Sequence, residues 1–81
     1  MEKTISQEWV IATLEEATQS LPGAIAAETD LSGLDGWDSM GMVMFMGIVA
    51  EEHEVELSVH DLRTCTRASE LFELIRGKVT A

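Results

Sequence analysis

Residues 39–50 read Ser39-Met40-Gly41-Met42-Val43-Met44-Phe45-Met46-Gly47-Ile48-Val49-Ala50, a run without one charge, and the fold turns on whether it is strand or helix. Met40, Met42, Met44 and Met46 alternate as one face of a strand would. The intervening Gly41, Val43 and Phe45 are no more polar, so the apolar/polar alternation of a half-buried strand is missing. Length decides for helix. The run continues through Glu51, Glu52, His53 and Glu54 for about fifteen residues, and methionine and glutamate are strong helix formers, while Gly41 and Gly47 each cost about 1 kcal/mol.

The phase of this helix follows from its first charge, Glu51, which faces water. At 100° per residue the opposite stripe is Met42, Phe45, Met46, Val49 and His53, the expected core face. Met40, Met44, Gly47 and Ile48 then share the outward side with Glu51, where a small domain normally puts charge. An all-apolar helix is either fully buried or keeps a contact surface. In so short a chain full burial is hard to arrange, and a contact surface on Met40, Met44, Ile48 and Glu51 is expected.

Working outward, Thr4-Ile5-Ser6-Gln7 has capping-box spacing and predicts that the first helix opens at Thr4. Val10, Leu14, Ala17 and Leu21 form its core stripe, Glu8, Glu15 and Glu16 its solvated face, and Pro22-Gly23 its stop. From Pro22 to Asp38 runs a connection of about seventeen residues, long for a compact domain unless its own side chains pack. Leu31, Leu34 and Trp37 are its candidate plugs. A calcium loop counted from Asp30 fails, because leucine and glycine fall at ligand positions. Beyond the central helix, Ser58-Val59-His60-Asp61 has capping-box order and opens a short helix to Leu62 or Arg63. Thr66 is positioned to cap a last helix with the stripe Ala68, Leu71, Phe72 and Ile75, and Gly77 is its expected stop. The expected fold is all-α, a small four-helix bundle of three main helices and one short one, in a single domain spanning residues 1–81.

Composition bounds the function. A chain of 81 residues buries about 60% of its unfolded surface, too little for a sizeable catalytic cleft. Fifteen acidic against five basic residues give a net charge of −10, which repels phosphate backbones and anionic lipid and favours basic protein surfaces. Neither nucleic acid nor membrane is an expected partner. A single cysteine forms no internal disulfide, and Met1-Glu2-Lys3-Thr4 lacks the basic and apolar regions of a signal peptide. Both point to the cytoplasm.

Chemistry concentrates at Ser39. Asp38 precedes the central helix and can accept its free N–H groups, while a phosphate on the Ser39 hydroxyl would meet the same amides and the same helix dipole. A plain capping pair is the simpler reading of Asp38-Ser39. Ser39 has no base to make it a nucleophile: His53 lies fourteen residues along the helix, about 20 Å away, and His60 on the next segment. No catalytic residue and no metal ligand set is expected, and if Ser39 is chemically useful another enzyme must modify it.

Gly36-Trp37-Asp38-Ser39-Met40, followed by an apolar helix, the Glu51-Glu52 pair and a later helix headed by Thr66, resembles the acyl and peptidyl carrier proteins, whose signature is Gly-x-Asp-Ser-Leu. The likeness runs from the first helix through Ile75. It implies a monomeric carrier without catalytic activity, whose Ser39, flanked by Asp38, receives 4′-phosphopantetheine from coenzyme A through a phosphopantetheinyl transferase. The arm's thiol would hold acyl groups as thioesters for acyl-loading, synthase or transferase enzymes. Met40 stands for the usual leucine, His53 for a frequent phenylalanine and Cys65 for an aliphatic residue; His53 reads as a half-buried, hydrogen-bonded histidine and Cys65 as a small core side chain. Carriers of fatty-acid synthesis usually display acidic residues on the second helix, whereas Gly41, Met44 and Ala50 occupy several such places here. That leans towards a specialised polyketide, nonribosomal-peptide or related pathway, with docking more apolar and less sensitive to salt. An aminoacyl carrier, peptidyl or D-alanyl, is the alternative within the family. A helical interaction domain using Met40, Met44 and Ile48 as anchors, without a prosthetic group, is the alternative outside it.

Overall fold

The computed structural model describes residues 5–80, with side chains through Lys78. The order is α1 (Gln7–Thr18), a 3-10 turn (Leu31–Gly33), α2 (Ser39–His53), α3 (Val59–Arg63) and α4 (Ala68–Thr80). Helix α1 packs on α2 and α4, and α3 on α2. Among the described residues the fold is thus all-helical, three main helices and one short one with a long loop after the first. Among the described residues the β-type pairing is a single bridge between Asp30 and Arg67, and no helix is long and apolar enough to cross a membrane.

Helix α1 begins later and ends earlier than its sequence pattern suggests. Thr4 lies outside the described residues; Ser6, in extended conformation, is the N-cap, its hydroxyl accepting the Trp9 N–H at 3.1 Å. At the other end Gln19 turns left-handed (φ 58°), and the N–H groups of Gln19 and Ser20 close back onto the carbonyls of Glu16 and Glu15. This pair of bonds is a Schellman closure. Thr18 aids it by donating its hydroxyl to the Leu14 carbonyl at 2.8 Å, a side-chain bond that competes with continued helix. Pro22 therefore never has to stop the helix. Val10, Leu14 and Ala17 are buried as expected, but Leu21, past the closure, is 79% exposed and leaves the core stripe.

The loop packs by its own residues. Glu15, read from sequence as solvated, accepts the N–H groups of Gly23 and Ile25 at 2.8 and 3.2 Å and so ties the loop to α1. Ile25 is a buried plug that the pattern missed. Asp30 caps the 3-10 turn through Ser32, whose hydroxyl and N–H hold its carboxyl below the ordinary range. Leu31 is buried, and Leu34 and Trp37 are half-buried against the core.

The same loop completes α4. The first N–H groups of a helix lack intrahelical partners; here the carbonyls of Thr29 and Ala27 accept those of Ala68 and Ser69 at 3.2 and 2.9 Å. Thr66 does not act as the accepting cap. Its N–H and hydroxyl instead donate to the Glu70 carboxylate at 3.0 and 2.7 Å. Ala68, Leu71 and Ile75 are fully buried and Phe72 half-buried. Gly77 does not stop the helix, which continues to Thr80. Glycine permits a left-handed exit without requiring one, and Gly77 is not among the glycines with positive φ. The capping box of α3 forms as expected between Ser58 and Asp61, and the Ser58 N–H lowers the Asp61 pKa.

The Thr66 N–H, and after it the Thr66 hydroxyl, lower the Glu70 pKa from its ordinary 4.5. A carboxylate depressed in the folded state stabilises above its unfolded pKa, and that contribution is lost as pH falls through the folded value. The urea-stability gap between the wild type and Glu70→Ala should therefore be full near neutral pH and shrink as pH falls below the ordinary glutamate value of 4.5. An equal gap at neutral pH and in acid would show that the bond contributes nothing to folding.

Candidate functional site

The turn that presents Ser39 is built from glycine outward. Gly36 adopts φ +87°, a left-handed geometry that strongly favours glycine, and a Cβ there would lie 2.6 Å from the Thr18 carbonyl oxygen. On its other side the Gly36 carbonyl oxygen faces Gly41 so closely that a Cβ on Gly41 would collide with it. The end of α1, the loop and the first turn of α2 thus meet backbone to backbone. Trp37, between the glycines, sets its ring edge-on to Phe45, with centroids 5.5 Å apart. The ring anchors the loop on the core side.

With both sides fixed, Asp38 is extended (φ −111°, ψ −169°) and caps α2. Its carboxylate accepts the Gly41 N–H at 3.0 Å, and its carbonyl the Met42 N–H at 2.8 Å. Ser39 follows as the first helical residue and is exposed, with the Ser39 and Met40 amides at the opening of the helix. A hydroxyl in this place is accessible to a modifying enzyme. A phosphoryl group on it would sit at the positive end of the helix dipole, although Asp35 and Asp38 flank it with negative charge.

Beside Ser39 lies a shallow open depression of about 430 Å³ lined by Ser39, Met40, Val43 and Met44. Met40 is 82% exposed, Val43 58% and Met44 47%. Of the expected contact surface, Met40, Met44 and Glu51 are exposed, while Ile48 is half-buried at its margin. Val43 belongs to the face and was missed, because the phase was set from Glu51 alone; counting from Met40 at i+3 and i+4 reaches Val43 and Met44. On the inward side Met42, Phe45 and Val49 are buried, with Met46 and His53 half-buried.

The other candidate groups lie elsewhere. His53 packs edge-on against Trp9, ring centroids 4.4 Å apart. Cys65 is half-buried, with its thiol 3.7 Å from the Asp61 carbonyl. Burial, and then the charge of Glu70, push its pKa up, which keeps it a thiol and a poor nucleophile. Among the described residues no three potential metal ligands cluster. No family model, curated protein or solved structure matches the chain. Fold and site define its class physically: a small helical bundle presenting one serine at the head of an apolar, partly exposed helix.

The two glycines of α2 should respond oppositely to alanine. Gly41→Ala forces the Gly36 backbone away and should cost more than 1 kcal/mol, on the order of other overpacking changes. At Gly47 an added Cβ meets nothing within 4 Å, so Gly47→Ala should stabilise by about 0.5–1 kcal/mol through helix propensity. Urea denaturation of the two variants checks both signs; equal effects would contradict the backbone contact.

Proposed function

We propose that the chain is a stand-alone acyl carrier whose Ser39 bears 4′-phosphopantetheine. The observation that supports this best is the exposed Ser39 hydroxyl, held by the Gly36–Gly41 contact and the Asp38 cap at the opening of α2. The Gly36-Trp37-Asp38-Ser39-Met40 string adds its resemblance to the carrier signature. The donor set suits a phosphodiester: a reachable hydroxyl, leading helix amides and a positive dipole end. In the loading reaction the Ser39 oxygen forms a bond to the phosphorus of coenzyme A that carries the pantetheine, the bond from that phosphorus to adenosine bisphosphate breaks, and the hydroxyl proton passes to the transferase. When bound, the arm supplies a thiol that holds acyl cargo as a thioester.

In this reading the chain does no catalysis and works in the cytoplasm as a monomer. Its residues orient the attachment point and present an address to phosphopantetheinyl transferase and to acyl-loading, synthase or transferase enzymes. Met40, Met44 and the half-buried Ile48 supply adaptable apolar contacts, and Glu51 a charge at the edge. The net charge of −10 still steers basic partners at long range. The apolar character of α2 supports a specialised polyketide, nonribosomal-peptide or related pathway. The exposed Met40–Val43–Met44 face equally suits a helical interaction domain without any prosthetic group, and modification separates the two readings.

Incubation of the folded protein with coenzyme A, magnesium and a broad-specificity phosphopantetheinyl transferase should add one phosphopantetheine to the intact mass, and Ser39→Ala should add none. An unmodified wild type, with its helical circular dichroism intact, would favour the interaction domain.

A further inference from the structure

The depression beside Ser39 has a definite relation to whatever is attached there. Ser39 is itself part of its lining, and the other lining residues, Met40, Val43 and Met44, are all apolar. The remaining directions away from the hydroxyl are less hospitable to an apolar group. Towards α1 the way is closed by the backbone contact of Gly36 with Gly41. Beneath α2 the interior is filled by Met42, Phe45 and Val49, with Trp37 edge-on to Phe45. Charge acts in the same sense. Asp35 and Asp38 lie on the loop side of Ser39 and repel an anionic phosphodiester, whereas α2 carries no charge from Ser39 until Glu51.

The chemistry of a phosphopantetheine arm matches this layout. Counting from the phosphate, its first apolar group is a quaternary carbon bearing two methyls, one methylene away; the polar hydroxyl and amides come after. Resting on the carrier reading, we propose that Met40, Val43 and Met44 seat this geminal dimethyl group, so that the arm leaves Ser39 along the outward face of α2. Two flexible thioether side chains closing around a branched valine suit such a group, because methionine adapts its shape to the surface it meets. The seat coincides with part of the face on which partners dock. A docking enzyme must displace the arm from it, which couples recognition of α2 to release of the arm into the partner's active site.

The test uses the full chain with ¹³C-labelled methionine methyls, before and after loading to completion as judged by intact mass. On loading, the Met40 and Met44 methyl resonances should shift while those of Met42 and Met46 stay in place. Nuclear Overhauser contacts should join the Met40 and Met44 methyls to the arm's geminal methyls. In loaded Val43→Ser, an exchange at an exposed position, these contacts should weaken at least twofold. A fully loaded wild type without such contacts, or with contacts to Met42 instead, overturns the seat while leaving the carrier reading intact. Failure to gain the phosphopantetheine mass removes the carrier reading, and the seat falls with it.

Discussion

The approach of the Gly36 carbonyl to Gly41 is the constraint on which the rest of the site depends. It brings three pieces of chain together backbone to backbone: the closing turn of α1 at Thr18, the loop at Gly36 and the first turn of α2 at Gly41. Side chains at either glycine would hold these backbones apart. With them in place, the residues between have little choice. Trp37 turns its ring onto Phe45, Asp38 turns its carboxylate onto the helix it caps, and Ser39 is left facing water. The exposure of Ser39 is thus a consequence of packing two residues away on each side.

The loop performs a second task of the same kind at the start of α4. Its carbonyls at Ala27 and Thr29 accept the leading amides of α4, and the Leu31 N–H donates to the Thr66 carbonyl at 2.8 Å. Glu15 of α1 in turn holds the loop at Gly23 and Ile25. A connection of this length would otherwise carry a large ordering cost with little return. Here its carbonyls serve the leading amides of α4, so the loop that positions Ser39 is locked to the core through α1 and α4 together.

Much of this was legible in the residues, and the failures have identifiable causes. The span of α2, its cap at Asp38, its buried stripe and the capping box of α3 follow from length, periodicity and side-chain chemistry alone. The end of α1 does not, because left-handed Gln19 carries no glycine signal and the nearby Pro22 draws attention to the wrong place. Glu15 reads as a surface charge until the loop folds back over it. Thr66 has the composition of a cap, yet tertiary contacts from Ala27 and Thr29 have already supplied the bonds. Gly77 shows the converse error, a permissive residue taken for a stop. At the site, Val43 was hidden by reading the helix from its charged end, although the spacing from Met40 contains it.

What results is a molecule whose charge and whose contact face are separated. The chain carries fifteen acidic residues against five basic ones, while the helix headed by Ser39 exposes Met40, Val43 and Met44 on its outward side and is packed on its inward side. In the proposed carrier reading, long-range attraction and short-range recognition then belong to different parts of the chain. The proposed carrier reading requires that packing single out Ser39 among the six serines of the sequence as the attachment point. Peptide-level mass spectrometry of the loaded, folded protein is the sharpest test: the phosphopantetheine increment should fall on the peptide containing Ser39 and on no other, and an increment on the peptides of Ser6, Ser20, Ser32, Ser58 or Ser69 would overturn that reading.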